Sequence, residues 1–372
     1  MIEVKVVKNF KQRRDFLNFP LNLYKGCEYY VPALFIDERK IFKKNYFYNE
    51  ISESIFFNAY KDKKMVGRIS CILHRTSNEK WNQKRVRFTR FDCIDDQEVA
   101  NKLFDEATKW AKEKGMEEIV GPLGYSDMER EGLLIEGFDQ LGTFEEQYNY
   151  PYYQKLIENY GFEKEVDWTE HKIYPTHEKN EKVERVSKKI LSKFNLRLVK
   201  PTSTRKFVKE YQDQFFEMVD LTYGDLYGTV PFTPKMRKNL VSGFYLLIRP
   251  QDIRAVVNEK NEMMAFALVF PSISDAVRKS KGRITLPFIY RFLKAKAKPK
   301  VIDLGLVGVH PKYQYMGLSA VMLAEVFNFF EVEDIDHLET NLNLETNESI
   351  DKFLSVFNRE YNKRRRCFIK KI

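Results

Sequence analysis

The sequence predicts an α+β protein of two domains, each with helices layered on a β-sheet. Three observations lead there. The 372-residue length is more than twice the roughly 150 residues of a typical domain. An almost uninterrupted apolar strand, VIDLGLVGV at residues 301–309, runs through a glycine-containing turn into an amphipathic helix. The order hairpin, strand, helix, strand, helix, strand can be read once in each half, with little identity between the copies.

In the first half, residues 56–60 and 65–73 flank the turn Lys61-Asp62-Lys63-Lys64 and form a hairpin. Residues 85–94 alternate as a strand. Residues 99–114 form a helix with Leu103, Phe104, Ala107, Trp110 and Ala111 on its apolar face, stopped by Gly115. Residues 118–122 begin the next strand, 150–162 hold a further helix, and 170–174 form the expected last strand. The polar segment 175–194 has Val183, Val186, Ile190 and Phe194 at helical spacing, so it reads as a connecting helix.

The second half repeats this plan. Residues 253–258 and 263–270 make its hairpin around Glu259-Lys260-Asn261-Glu262. The strand at 301–309 is apolar enough to be buried on both faces, and His310-Pro311 ends it. Leu318, Val321, Met322, Ala324, Val326, Phe327 and Phe330 then follow a helical period. Residues 337–344 alternate as a strand, with His337, Glu339, Asn341 and Asn343 on its polar face. A short helix at 347–357 and a terminal strand at 366–372 complete the half.

The turn before the second-half helix sets the chemistry. Orphan backbone N–H groups and the positive end of a helix dipole suit an anion, and Gly317, Ser319 and Ala320 are small enough for close approach. A phosphate-like ligand is expected. Gln314-Tyr315-Met316-Gly317-Leu318-Ser319, after a Val-rich strand, resembles the Gln/Arg-x-x-Gly-x-Gly/Ala signature of the GNAT superfamily of acyl-CoA N-acyltransferases. Gln314 and Gly317 match, and Ser319 replaces the usual Gly or Ala.

The resemblance implies two tandem GNAT-like domains, each a twisted mixed, mainly antiparallel sheet flanked by helices. It implies an N-terminal domain at 1–178, a connecting helix at 179–194 and a C-terminal domain at 195–372. Residues 24–32, ending Tyr-Val-Pro, and Val66-Gly67-Arg68-Ile69 also look like a bacterial tandem group with one degenerate copy. In the first half, Asp95-Asp96-Gln97-Glu98 stands where a pyrophosphate would sit, and like charges repel it. That half is expected to supply a wall of the acceptor pocket or a dimer surface.

For the C-terminal copy, the resemblance implies that acetyl-CoA or a longer acyl-CoA lies against Gln314, Tyr315, Met316, Gly317, Leu318, Ser319 and Ala320. Val309, with Val307, would hold the pantetheine chain or polarise the thioester, and Asn347 joins this donor set at the start of the late-helix motif. Glu339 is the expected base and Asn343 the residue that orients an amine acceptor. The tyrosine that commonly serves as general acid is replaced by Leu354, which leaves water or Tyr361 to protonate the thiolate. His310 reads as structural.

Composition bounds the remainder. With 43% hydrophobic and 15% aromatic residues, the chain is not disordered. No apolar run reaches the ~18 residues of a membrane span, and the first residues lack a secretory apolar region, so a cytoplasmic setting is expected. Cys27, Cys71, Cys93 and Cys367 have neither zinc-ligand nor disulfide spacing, so no metal is expected. The net charge of +10 fits polyanionic CoA, while no nucleic-acid motif accompanies it and DNA is not an expected partner. Lys363-Arg364-Arg365-Arg366 is expected to be solvated surface. Residues 223–233 suit a lid or, equally, a packed loop. Residues 286–300 are amphipathic and basic; core packing with a solvated lysine face is expected, and peripheral membrane contact is the other reading. The function expected is an acyl-CoA-dependent N-acyltransferase. The alternatives are an aminoacyl-tRNA-dependent transferase of the cell-wall type, which would bind tRNA, and a non-catalytic protein on the same fold.

Overall fold

A computed structural model describes residues 1–176 and 180–372; the expected boundary at 178 and 179 lies outside them. Along the chain the strands are β1 (Ile2–Val6), β2 (Ser52–Lys61), β3 (Lys64–His74), β4 (Arg85–Cys93), β5 (Glu118–Gly121), β6 (Leu133–Glu136) and β7 (Glu163–Tyr174). They continue as β8 (Arg197–Val199), β9 (Ile253–Val257), β10 (Met263–Pro271), β11 (Val301–Val309), β12 (His337–Glu339), β13 (Asn343–Leu344) and β14 (Asn358–Lys371). The helices are α1 (Phe10–Leu23), α2 (Phe35–Glu38), α3 (Arg75–Trp81), α4 (Gln97–Glu113), α5 (Tyr152–Asn159), α6 (Glu181–Lys193) and α7 (Thr204–Tyr223). After them come α8 (Pro234–Phe244), α9 (Ser274–Lys279), α10 (Leu286–Ala297), α11 (Pro311–Gln314), α12 (Ser319–Val332) and α13 (Glu348–Leu354).

The chain forms two compact units. The first comprises residues 1–169, 273–290 and 362–372, and the second comprises 170–272 and 291–361. The compact units therefore do not follow chain order, and boundaries at 178 and 195 stand as a proposal about the two copies.

In the first unit the strand order is β1-β2-β3-β4-β5-β14, with β6 also on β14. The β4–β5 pair is parallel and the β1–β2, β2–β3, β3–β4 and β5–β14 pairs are antiparallel. Helix α4 buries the apolar face expected of it, with Leu103, Phe104, Ala107 and Ala111 inaccessible. It lies close to β3, because a Cβ on Gly67 would come within 2.9 Å of Leu103 Cδ1; a larger residue there would push the helix off.

The basic run near the C-terminus is not solvated surface. Lys363 and Arg365 point to one side of β14 and are 1% exposed, bonded to Glu146 at 2.9 and 3.1 Å. Arg364 and Arg366 point to the other side and both reach Asp167 at 2.8 Å. Strand alternation deals the four cations to two buried carboxylates, which spacing along the sequence cannot show.

In the second unit the order is β7-β12-β11-β10-β9-β8, with β13 on β7. The β11–β12 pair is parallel, and β7–β12, β8–β9, β9–β10 and β10–β11 are antiparallel. Gly305 is the extra residue of a bulge in β11, since Leu268 pairs with Leu306 and Val269 with Leu304. The bulge shifts the alternation, so Ile302 and Leu304, and then Val307 and Val309, all pack on the α12 side with residues such as Val321, Val326 and Phe330.

The strand expected at 337–344 is broken. Thr340 turns to β7, its N–H donating to the His171 carbonyl and its Oγ1 accepting from His171 N–H, both at 2.9 Å. The Asn341 side chain accepts from Leu342 N–H, and the Asn343 amide donates to Asn341 O and Thr340 Oγ1. These local side-chain bonds replace the ladder.

Candidate functional site

The turn from β11 to α12 is built by capping. His310 Nδ1 accepts the Lys312 N–H at 3.1 Å and starts the single turn of α11, which is the structural role expected for it. The Gln314 amide returns to the Val309 carbonyl at 3.2 Å. Gly317 then takes φ +85, a left-handed conformation that favours glycine, and a Cβ there would meet Ile190 Cδ1 at 2.9 Å. Among the described residues, the N–H groups of Gly317 and Ser319 have no protein acceptor. Tyr315 and Met316 are exposed at the rim, while Leu318 is inaccessible in the core and Ala320 packs beside it. The result is a short concave run of donors at the positive end of a 14-residue helix, electrostatically suited to a diphosphate.

Upstream of this turn the sheet opens. β11 pairs with β12 only from Val301 to Asp303; from Leu304 to Val309 it keeps its pairing with β10 while its other edge leaves β12. His310 N–H bonds the Met264 carbonyl on β10, so the alternate residues Val307 and Val309 direct their backbone groups to the open edge. At Val307 that edge is already engaged: Tyr223 Oη accepts its N–H at 3.0 Å and donates to its carbonyl at 2.9 Å. Residues 223–233 are thus anchored through Tyr223 to the open edge of β11. The sequence marked the segment but not this bond.

Glu339 closes the parallel pair at the point of divergence. It is buried rather than solvent-facing, with His337 Nε2 at 3.4 Å from its Oε1. Its parallel register partner is Asp303, also buried, and its antiparallel partner is Lys172. Residues in register share a face, so two carboxylates and a cation meet where the strands part. Asp303 escaped notice in the sequence although it is the only charged residue in β11, and a lone acid inside an apolar strand is a usable signal.

Asn343 lies on β13, and its amide is committed to the 340–341 turn. Asn347 caps α13, its side chain accepting Ile350 N–H at 3.3 Å. Leu354 is 1% exposed in the core with Leu338 and Phe357, and Tyr361 is exposed with its ring 5.9 Å from that of His171.

The corresponding positions in the first unit are filled by its own side chains. Asp96 caps α4, accepting Glu98 and Val99 N–H at 3.0 and 3.4 Å while bound to Lys61 at 3.0 Å. A carboxylate thus sits where the second unit leaves donors open. At the end of β4, Cys93 N–H donates to Tyr153 Oη at 3.2 Å. Tyr153 lies 2.8 Å from Tyr24 Oη, and Tyr24 reaches Asp92, which Arg68 holds at 2.8 Å. All four side chains are buried, and burial raises both phenol pKa values, so the tyrosines stay neutral.

No protein-family model matches the chain. Among solved structures, a tandem GNAT protein from the clavulanic acid biosynthesis pathway superposes over 100% of this chain and 98% of its own, with TM-score 0.55 and 11% identity. The chain has a tandem GNAT fold. A glucosamine N-acetyltransferase region related to GCN5, from a fungal multidomain β-N-acetylglucosaminidase, covers 100% of this chain and 38% of its own, with TM-score 0.58 and 12% identity. Two curated relatives match along most of the chain. Protein YghO of Escherichia coli (strain K12) is 27% identical, over 99% of this chain and 95% of its own. A bacterial ceramide synthase of Caulobacter vibrioides (strain NA1000 / CB15N) is 26% identical, over 84% of this chain and 82% of its own.

Proposed function

We propose that this chain is an acyl-CoA-dependent N-acyltransferase whose C-terminal copy, residues 195–372, binds the donor in the cytoplasm. The observation that carries the reading is the Gly317 turn, which joins an open-edged strand to a helix and presents unaccepted N–H groups of Gly317 and Ser319. In this reading the diphosphate lies on residues 314–320, and the thioester lies along Val307 and Val309. The acceptor amine attacks the thioester carbonyl carbon, passes a proton to Glu339 directly or through water, and forms an amide as the C–S bond breaks. The departing thiolate takes a proton from water or Tyr361, since Leu354 is buried and has none to give. A ceramide is itself an amide, so the name of the Caulobacter relative supports transfer to nitrogen and places long-chain amino alcohols in the acceptor screen.

Calorimetric titration with acetyl-CoA and longer acyl-CoAs, at low and raised salt, tests the donor half. Saturable binding at one site per chain is expected, with at least a hundredfold loss in Gly317→Asp, which sets a charge against the diphosphate. Unchanged binding by the folded variant would put the donor elsewhere. Leu354 and the Tyr223 bond to Val307 favour a second reading, a ligand-binding protein without turnover; donor binding with no amide formed across an amine panel would select it.

A further inference from the structure

Helix α10 carries its apolar side outward. Leu286, Ile289, Tyr290 and Leu293 recur at the i, i+3, i+4, i+7 spacing by which a helix ordinarily meets a core. All four are nevertheless exposed, Leu286 at 84% and Tyr290 at 70%, whereas Phe288 is the buried residue of the helix. This corrects the expectation of core packing for this segment. Ile284, just before the helix, is exposed as well. Leaving such side chains in water forgoes the gain of burying them, so a continuous stripe of them marks a contact surface.

The surrounding charge says what the contact is. Residues 281–300 contain seven Lys or Arg and no Asp or Glu. On the helix, Lys294 lies beside the stripe and Lys298 follows, both exposed, while Lys296 donates to the Leu246 carbonyl. Long lysine stems let the ammonium groups reach past an apolar face to anions beside it. Among the described residues, Lys294 and Lys298 make no ion pair.

We propose that α10 docks the protein on an anionic lipid bilayer, its apolar stripe entering the headgroup region and its lysines meeting lipid phosphates. A second copy of the chain is a poorer occupant, because a two-fold interface would set this uniformly positive stretch against itself. The docking does not depend on the acyl-donor reading.

Full-length protein is sedimented with vesicles of phosphatidylcholine alone, or mixed with phosphatidylglycerol, at low and raised salt. Binding to the anionic vesicles only, weakened by salt, is expected. The Ile289→Ser/Leu293→Ser and Lys294→Glu/Lys298→Glu pairs should each lose at least about tenfold in partition while keeping the wild-type melting curve, since all four positions are exposed. Tyr290→Trp supplies a second readout, extra emission that shifts to the blue with anionic vesicles. Wild-type protein left in the supernatant, or variants that sediment like wild type, would overturn the proposal. So would light scattering that finds a dimer dispersed by Ile289→Ser/Leu293→Ser, which would give the face to a second copy.

Discussion

Glu339 and Tyr223 show how far single residues can be read. Glu339 was legible as a polar position on a strand, but its burial and its register beside Asp303 arise only when β12 pairs with β11. Glu339→Gln keeps the shape and removes the proposed base, so the rate of amide formation should fall about 10²–10⁴-fold with donor affinity unchanged. Undiminished turnover would move the proton acceptor, with Asp303 next in line. Tyr223→Phe tests the other side of the site. Its hydroxyl makes the two bonds to Val307 that an extended amide chain would make. Removing it should tighten acyl-CoA binding by up to about tenfold, measured by calorimetry; weaker binding would instead mean that the hydroxyl touches the donor.

At the scale of elements, two termini decide what each unit can hold. The α4 N-terminus is satisfied by Asp96, and Asp96→Ala should cost about 1 kcal/mol in urea unfolding with no gain of CoA binding by that unit. Strand β14 makes the larger demand. Glu146→Ala leaves Lys363 and Arg365 buried beside a lost partner, and a loss of about 3–5 kcal/mol is expected. A loss below about 1 kcal/mol would show that water reaches the two cations. Elements with strong periodicity, such as α4 and β11, were legible in the sequence because each face has a consistent environment. The break at 340–342 was not, because Asn side chains there bond the local backbone only once Thr340 has met β7.

Acid sensitivity belongs to the whole molecule. Burial, helped by the nearby Arg87 cation, pushes the His74 imidazole down from 6.5 to about 3. The fold therefore holds it neutral: its contribution is complete above pH 6.5 and is lost as pH falls toward about 3. Glu38 adds a lower window. Burial alone would raise its pKa, but the Arg90 guanidinium overrides this and holds it at about 2, below the ordinary 4.5, so its stabilisation is lost as pH falls from 4.5 toward 2. His74→Gln should flatten the stability profile between pH 6.5 and 3 by an amount on the order of 5 kcal/mol, read as the difference between urea curves of the two proteins. Identical slopes would show that His74 is hydrated in the fold.

The sequence by itself determined the alternation of strands and helices, the two-copy plan, and the anion-suited turn at Gly317, because each rests on local periodicity and on backbone geometry that only a few residues adopt. Tertiary structure alone decided which residues make up each compact unit, that Lys363 and Arg365 of β14 are buried, that Tyr223 engages the open edge of β11, and that α10 turns its apolar stripe to solvent. Those outcomes depend on which partner a face meets, and a pattern of apolar and polar residues states that a face must be covered without naming what covers it.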